Sequence, residues 1–157
     1  MRVDMVFDDG GLGEALERAE SRSRAGMAEA VYAAGGILQS MVRANASSAT
    51  HPDRASAARG HIPGTGPGPN VATGNYRRSI QLTPTREGGN PVAYVHTNAT
   101  QARRLEYGFR GTDSLGRRYN QPPYPHWQPA ADKAEDILAA QIQRVIDRMT
   151  DDLKGKP

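Results

Sequence analysis

The chain has 157 residues, enough for one domain, but with 37% hydrophobic and 6% aromatic residues, 17 Gly and 11 Pro it is too lean for a core that uses all of it. It has no cysteine, which excludes disulfides, thiolate metal sites and cysteine nucleophiles. The net charge of +3 is uneven: residues 1–40 carry −3, 41–70 carry +2, 71–118 carry +5 and 119–157 carry −1.

In chain order, Val3, Met5 and Phe7 alternate with polar neighbours and predict a short strand over residues 2–7. From Leu12 to about Ala46 the spacing turns helical. Leu12, Ala15, Leu16, Ala19, Met27, Val31, Ala34, Leu38 and Met41 recur at steps of three and four, with Val42 beside the stripe. Gly26, Gly35 and Gly36 interrupt it, and each costs about 1 kcal/mol relative to Ala in a helix interior. A kink or close packing against another backbone is the expected reason for keeping them.

Residues 47–75 read as a long, mobile loop rich in Pro and Gly. Its "GTGPGP" is no phosphate cradle, because the P-loop spacing is missing and Pro67 and Pro69 remove N–H donors. Residues 79–84 and 91–97 alternate about a turn at "REGGN" and predict a β-hairpin. "TQARRLEY" predicts a short helix closed by Gly108, and residues 109–125 a second polar loop. A last helix starts near Pro129, well placed in a first turn where its missing N–H has no partner to lose. Its stripe is Ala131, Ala134, Leu138, Ile142, Val145, Met149 and Leu153, broadened by Ile137 and Ile146, and residues 151–157 form a tail. The expected fold is α+β: a single domain over 1–157, with long N-terminal and C-terminal helices packed on a small antiparallel sheet.

The chemistry-bearing residues point away from catalysis. His51, His61, His96 and His126 show no HxxxH or HExxH spacing, and no GxSxG occurs, so neither a metal site nor a catalytic residue is expected. No cofactor is implied. Glu106 beside Tyr107 is the carboxylate that stands out, read either as half of a hydrolytic pair with a histidine or as a salt bridge to Arg103 or Arg110. The basic middle offers Arg77, Arg78, Arg103, Arg104, Arg110, Arg117 and Arg118 for an acidic neighbour or for nucleic acid. Tyr119, Tyr124, His126 and Trp127 sit among prolines in "YNQPPYPHWQPA", either as docking anchors or as pins to the domain's own core. Thr73, Gly74 and Asn75 mark a turn that opens the sheet. The start carries no signal-peptide apolar run and no stretch approaches 18 apolar residues, so no membrane is expected.

Taken in order, "TGNYRRSI", "LEYG" and "QPPYPHWQPA" resemble three segments of the small neck and tail-completion proteins of long-tailed double-stranded DNA bacteriophages. Two departures stand out: Tyr76 takes the place of a more usual Leu, and His126-Trp127 stands where Phe-Leu is common. The resemblance implies a non-enzymatic virion part, made in the host bacterial cytoplasm and placed at the head–tail junction. It would form a ring, a hexamer or dodecamer, through which DNA passes. It implies as partners further copies of the chain, the head connector or adaptor, and tail-terminator or tail-tube proteins, with possible non-specific contact with packaged DNA. The residues alone leave open an alternative, a nucleic-acid-binding module built on the Arg-rich middle.

Overall fold

A computed structural model describes residues 12–47, 74–112 and 114–154. The expected strand over 2–7 and nearly all of the expected loop over 47–75 lie outside the described residues.

Helix α1 (Leu12–Asn45) carries the long stripe. After it come the short helix α2 (Asn75–Ser79), strands β1 (Gln81–Glu87) and β2 (Asn90–His96), and helix α3 (Ala102–Tyr107). Strands β3 (Phe109–Thr112) and β4 (Arg118–Gln121), the turn of helix α4 (Gln128–Ala131) and helix α5 (Ala134–Leu153) complete the order. The fold is α+β, as expected. The antiparallel part is two separate two-stranded ribbons, β1–β2 and β3–β4.

In the first ribbon Leu82 faces Val95 and Pro84 faces Ala93. Leu82 and Ala93 pack on Gly35 of α1 and Val95 on the core cluster, while Thr83, Pro84, Tyr94 and His96 are exposed. The two-residue turn places Gly88 at φ 55° and Gly89 at φ 85°, the positive-φ pair a tight hairpin requires. The strands are longer at the turn than the alternation predicts, because Thr85–Glu87 continue the ladder to Asn90.

Helices α1 and α5 pack antiparallel. Asn45 Nδ2 donates to the His126 carbonyl at 3.1 Å just before α4, and Arg148 late in α5 grips Glu29 through two bonds of 2.9 and 2.6 Å. The core is small: Val42, Ala46, Ile80 and Ala130, flanked by Leu38, Met41, Tyr76, Val95 and Trp127. Two of the three interrupting glycines in α1, Gly26 and Gly35, are explained by contact. A Cβ on Gly26 would lie 2.5 Å from a Val145 methyl, and one on Gly35 would lie 2.7 Å from the Ala93 Cβ. The neighbours are side chains of α5 and β2, not another backbone.

Four readings need correction. The segment over 109–125 is not simply a polar loop: it contains β3 and β4, paired Phe109 to Gln121 through Thr112 to Arg118. The last helix is interrupted at Asp132–Lys133, so Ala130, not Ala131, is the buried alanine of its first turn. Ile146 stands 48% exposed instead of broadening the packed stripe. The stripe of α1 is likewise only half used: every described side chain from Gly13 to Ala25 is exposed, Leu16 by 61%.

The two neighbouring glycines give a direct check on packing. Gly36 has nothing within 4 Å of a built Cβ, so Gly36→Ala should raise stability by about 0.5–1 kcal/mol through helix propensity alone. Gly35→Ala has the same propensity gain but drives a methyl into Ala93 and Leu82, and should lose about 1–3 kcal/mol. Urea unfolding midpoints of the two variants should therefore move in opposite directions.

Candidate functional site

The segments that stand out in the sequence meet at one buried joint. Helix α4 begins with no side-chain cap of its own, because Trp127 occupies the capping position and an indole cannot accept hydrogen bonds. The orphan N–H groups are taken by Glu106, about twenty residues earlier on α3. Its Oε2 accepts the backbone N–H of His126 at 2.8 Å and of Trp127 at 3.0 Å, and its Oε1 accepts that of Gln128 at 3.0 Å. Pro129 has no N–H to satisfy, and Ala130 N–H already reaches the Trp127 carbonyl at 3.0 Å. The helix start is thereby fully satisfied from a distance. The Tyr124 N–H donates to the Leu105 carbonyl at 2.7 Å and fastens the same two segments again.

His126 has no solvent exposure. Its Nδ1 lies 2.7 Å from the Tyr124 carbonyl and 3.0 Å from Glu106 Oε2. Both are acceptors, so in the neutral ring Nδ1 carries the hydrogen and Nε2 accepts. The partner at Nε2 is the Tyr76 hydroxyl at 2.5 Å, which itself accepts the Trp127 Nε1–H at 3.0 Å. Donors and acceptors alternate without a gap from the indole through the phenol to the imidazole. The Tyr76 and His126 rings meet edge to face, with centroids 5.4 Å apart.

The three residues Tyr76, His126 and Trp127, which depart from the pattern the resemblance implies, are thus in contact with one another, each supplying the polar partner another needs when buried.

Electrostatics fits this reading. Burial acts to raise the Glu106 pKa, but the three backbone N–H bonds and the adjacent imidazole outweigh it and hold the carboxyl below its ordinary value of 4.5. The Tyr76 hydroxyl is held above its ordinary value, first by burial and then by the nearby Glu106 charge, against the pull of the Trp127 hydrogen bond. The order Tyr–His–Glu copies the spacing of a nucleophile, a base and its orienter. Here the phenol is already engaged by Trp127, the imidazole is sealed, and the carboxylate is filled by backbone N–H groups. The arrangement fastens segments together.

The salt bridge from Glu106 to Arg103 or Arg110 is not what the structure contains. Arg103 is exposed, and Arg110 Nε donates to Asn120 Oδ1 at 2.8 Å. Arg104 stacks its guanidinium over Phe109 at 4.3 Å and Tyr119 at 5.1 Å, bracing the β3–β4 ribbon, and its Nε is buried without a hydrogen-bond partner. Arg77 reaches Ser47 at 3.4 Å and Arg78 bonds Asn75, both on the exposed side of α2. Arg117 and Arg118 are exposed beside or on β4. The seven arginines therefore do not gather in one place. Gly74, at φ 73°, turns the chain into α2 and not directly into the sheet, Asn75 is the first residue of α2, and Thr73 lies outside the described residues. Among the anchors, His126 is interior, Tyr124, Trp127 and Tyr119 are half-buried, and all pin their segments to the body.

Sequence reasoning missed Arg43 and Gln39, which converge on the Ile80 carbonyl at 2.6 and 3.0 Å and tie α1 to the start of β1. Among the described residues no group of His, Asp and Glu gathers to hold a metal ion, and His51 and His61 lie outside them.

Replacing Glu106 by Gln should cost about 2–3 kcal/mol, because charge-assisted bonds to buried donors are lost. The depressed pKa also sets a sign. Its contribution is complete above 4.5 and is lost as pH falls through the lower folded-state value. Urea titrations should show wild type losing stability in that acid range and Glu106→Gln losing less there. Tyr76→Leu alone should cost about 1–3 kcal/mol by orphaning His126 Nε2 and Trp127 Nε1. Combined with His126→Phe and Trp127→Leu it should recover part of the loss, a coupling of about 0.5–3 kcal/mol in the mutant cycle.

The model of the HK97-gp10-like family, described as "Bacteriophage HK97-gp10, putative tail-component", matches residues 11–108. No curated protein and no solved structure matches the chain. The matched stretch runs from the start of α1 to the glycine that ends α3, and the third segment, over 121–130, is tied to it through Glu106. Spanning more than half of the chain, that match makes this protein a member of the HK97-gp10-like family of phage tail components.

Proposed function

We propose that this tail component is a structural joint: a subunit that forms a ring at the head–tail junction, links the head connector to the tail and leaves a lumen for DNA. The carrying observation is the uncovered half of α1. A 34-residue helix spans about 50 Å at 1.5 Å per residue, yet the body covers only its second half. An uncovered helical stretch bearing Ala15, Leu16 and Ala19 gains little from propensity alone and is stabilised when a neighbour covers it. Met27, Tyr107, Leu115 and Ile146 add further exposed apolar surface, at 42, 74, 75 and 48%. No helix among the described residues is long and apolar enough to cross a membrane.

Virion location follows from the family, and the head–tail junction is the part of this reading that experiment must decide. Native mass measurement of the purified protein should give a closed oligomer of six or twelve chains, or should do so once the head connector or a tail-end partner is added. A phage lacking the chain should accumulate filled heads and separate tails, countable by electron microscopy, and supplying the protein should join them. A strictly monomeric protein, with normal particles in its absence, would end this reading.

A further inference from the structure

Among the described residues, the β3–β4 ribbon presents exposed arginines and the outer face of α5 presents exposed carboxylates. On the ribbon, pairing puts Phe109, Gly111, Tyr119 and Gln121 on the side that holds Arg104. The other side presents Arg110, Thr112, Arg118 and Asn120 to solvent, with Arg117 adjacent and Leu115 protruding at the tip. On α5, helical spacing lines up Asp136, Ala140, Gln143, Asp147 and Asp151 on the face opposite buried Val145, with exposed Arg144 at the edge of the row beside Asp147 and Asp151. Across its length α5 holds five acidic residues against two arginines, and one of those, Arg148, is engaged by Glu29. Exposed Ile146 borders the acidic row as Leu115 borders the arginines.

We infer that the β3–β4 ribbon of one copy docks on the α5 outer face of the next. This rests on the ring reading above and specifies its interface. The two surfaces are unlike: Arg110, Arg117 and Arg118 with an apolar tip on one, Asp136, Asp147 and Asp151 on the other. Pairing unlike surfaces is heterologous, and heterologous contacts make a ring where the rotation between copies closes, whereas a surface that pairs with itself stops at a dimer. The two strands of the ribbon contact mainly each other, and the Arg104 stack holds one side of the ribbon. Charge pairing across the contact fixes its register and hastens encounter.

A charge swap in the full chain tests the inference. One variant carries Arg110→Glu and Arg118→Glu, the other Asp136→Lys and Asp147→Lys. All four positions are exposed, and circular dichroism checks that both variants stay folded. Each alone should lose self-association at least tenfold by native mass or sedimentation. Their equimolar mixture should regain it, because each reversed ribbon then meets a reversed helix, and wild-type association should weaken as salt rises. If wild type assembles and either variant assembles equally well, the interface is misplaced while the ring reading stands. If wild type never assembles, even with its tail-end partners, the ring reading itself falls. If the ribbon variant loses binding to duplex DNA at low salt but keeps assembly, the ribbon serves nucleic acid and the inference is overturned.

Discussion

One carboxylate organises the fold. Glu106 lies on a six-residue helix too short to stand alone, and it caps another helix of four residues. Neither turn has much local reason to form. Together they do, because Glu106 satisfies three N–H groups that would otherwise be buried without partners. Through this one side chain the hairpin region, the Pro-rich segment and the start of the last helix become parts of a single body. The Asn45 bond to the His126 carbonyl brings the end of α1 to the same point.

The neighbourhood of Glu106 shows how a polar core replaces an apolar one. Leucine and phenylalanine would fill this space by area burial alone. Tyr76, His126 and Trp127 fill it with rings whose polar atoms close on each other, so no desolvated group is left unpaired. The exchange works only as a set. Any one of the three in an otherwise apolar site would bring an unsatisfied donor or acceptor into the buried site.

The long-period features were legible in the sequence. The α1 stripe, the hairpin about Gly88-Gly89 and the Pro129 helix start follow from spacing, positive-φ glycines and the chemistry of proline. What was not legible depends on partners far apart in the chain. Glu106 looked like half of a surface salt bridge because its nearest arginines are close in sequence, while its real donors are backbone groups some twenty residues away. The β3–β4 ribbon escaped notice because Phe109 and Tyr119 are its only bulky residues and its stiffness comes from Arg104, which lies outside both strands. Half of the α1 stripe was legible as apolar, but spacing does not tell whether its cover belongs to the same chain.

That last ambiguity is informative for a tail component. A chain that folded to completion alone would place its longest apolar stripe under its own sheet. Here the sheet and α5 together cover α1 only from about Gly26 onward, with Val145 closing on that glycine. Among the described residues, α5 runs for 20 residues against the 34 of α1. Glu106 and the Ile80 carbonyl lock the described segments by hydrogen bonding. On the proposed reading, the exposed apolar and charged surface is kept for neighbours, so that completing the assembly would complete the cover of α1.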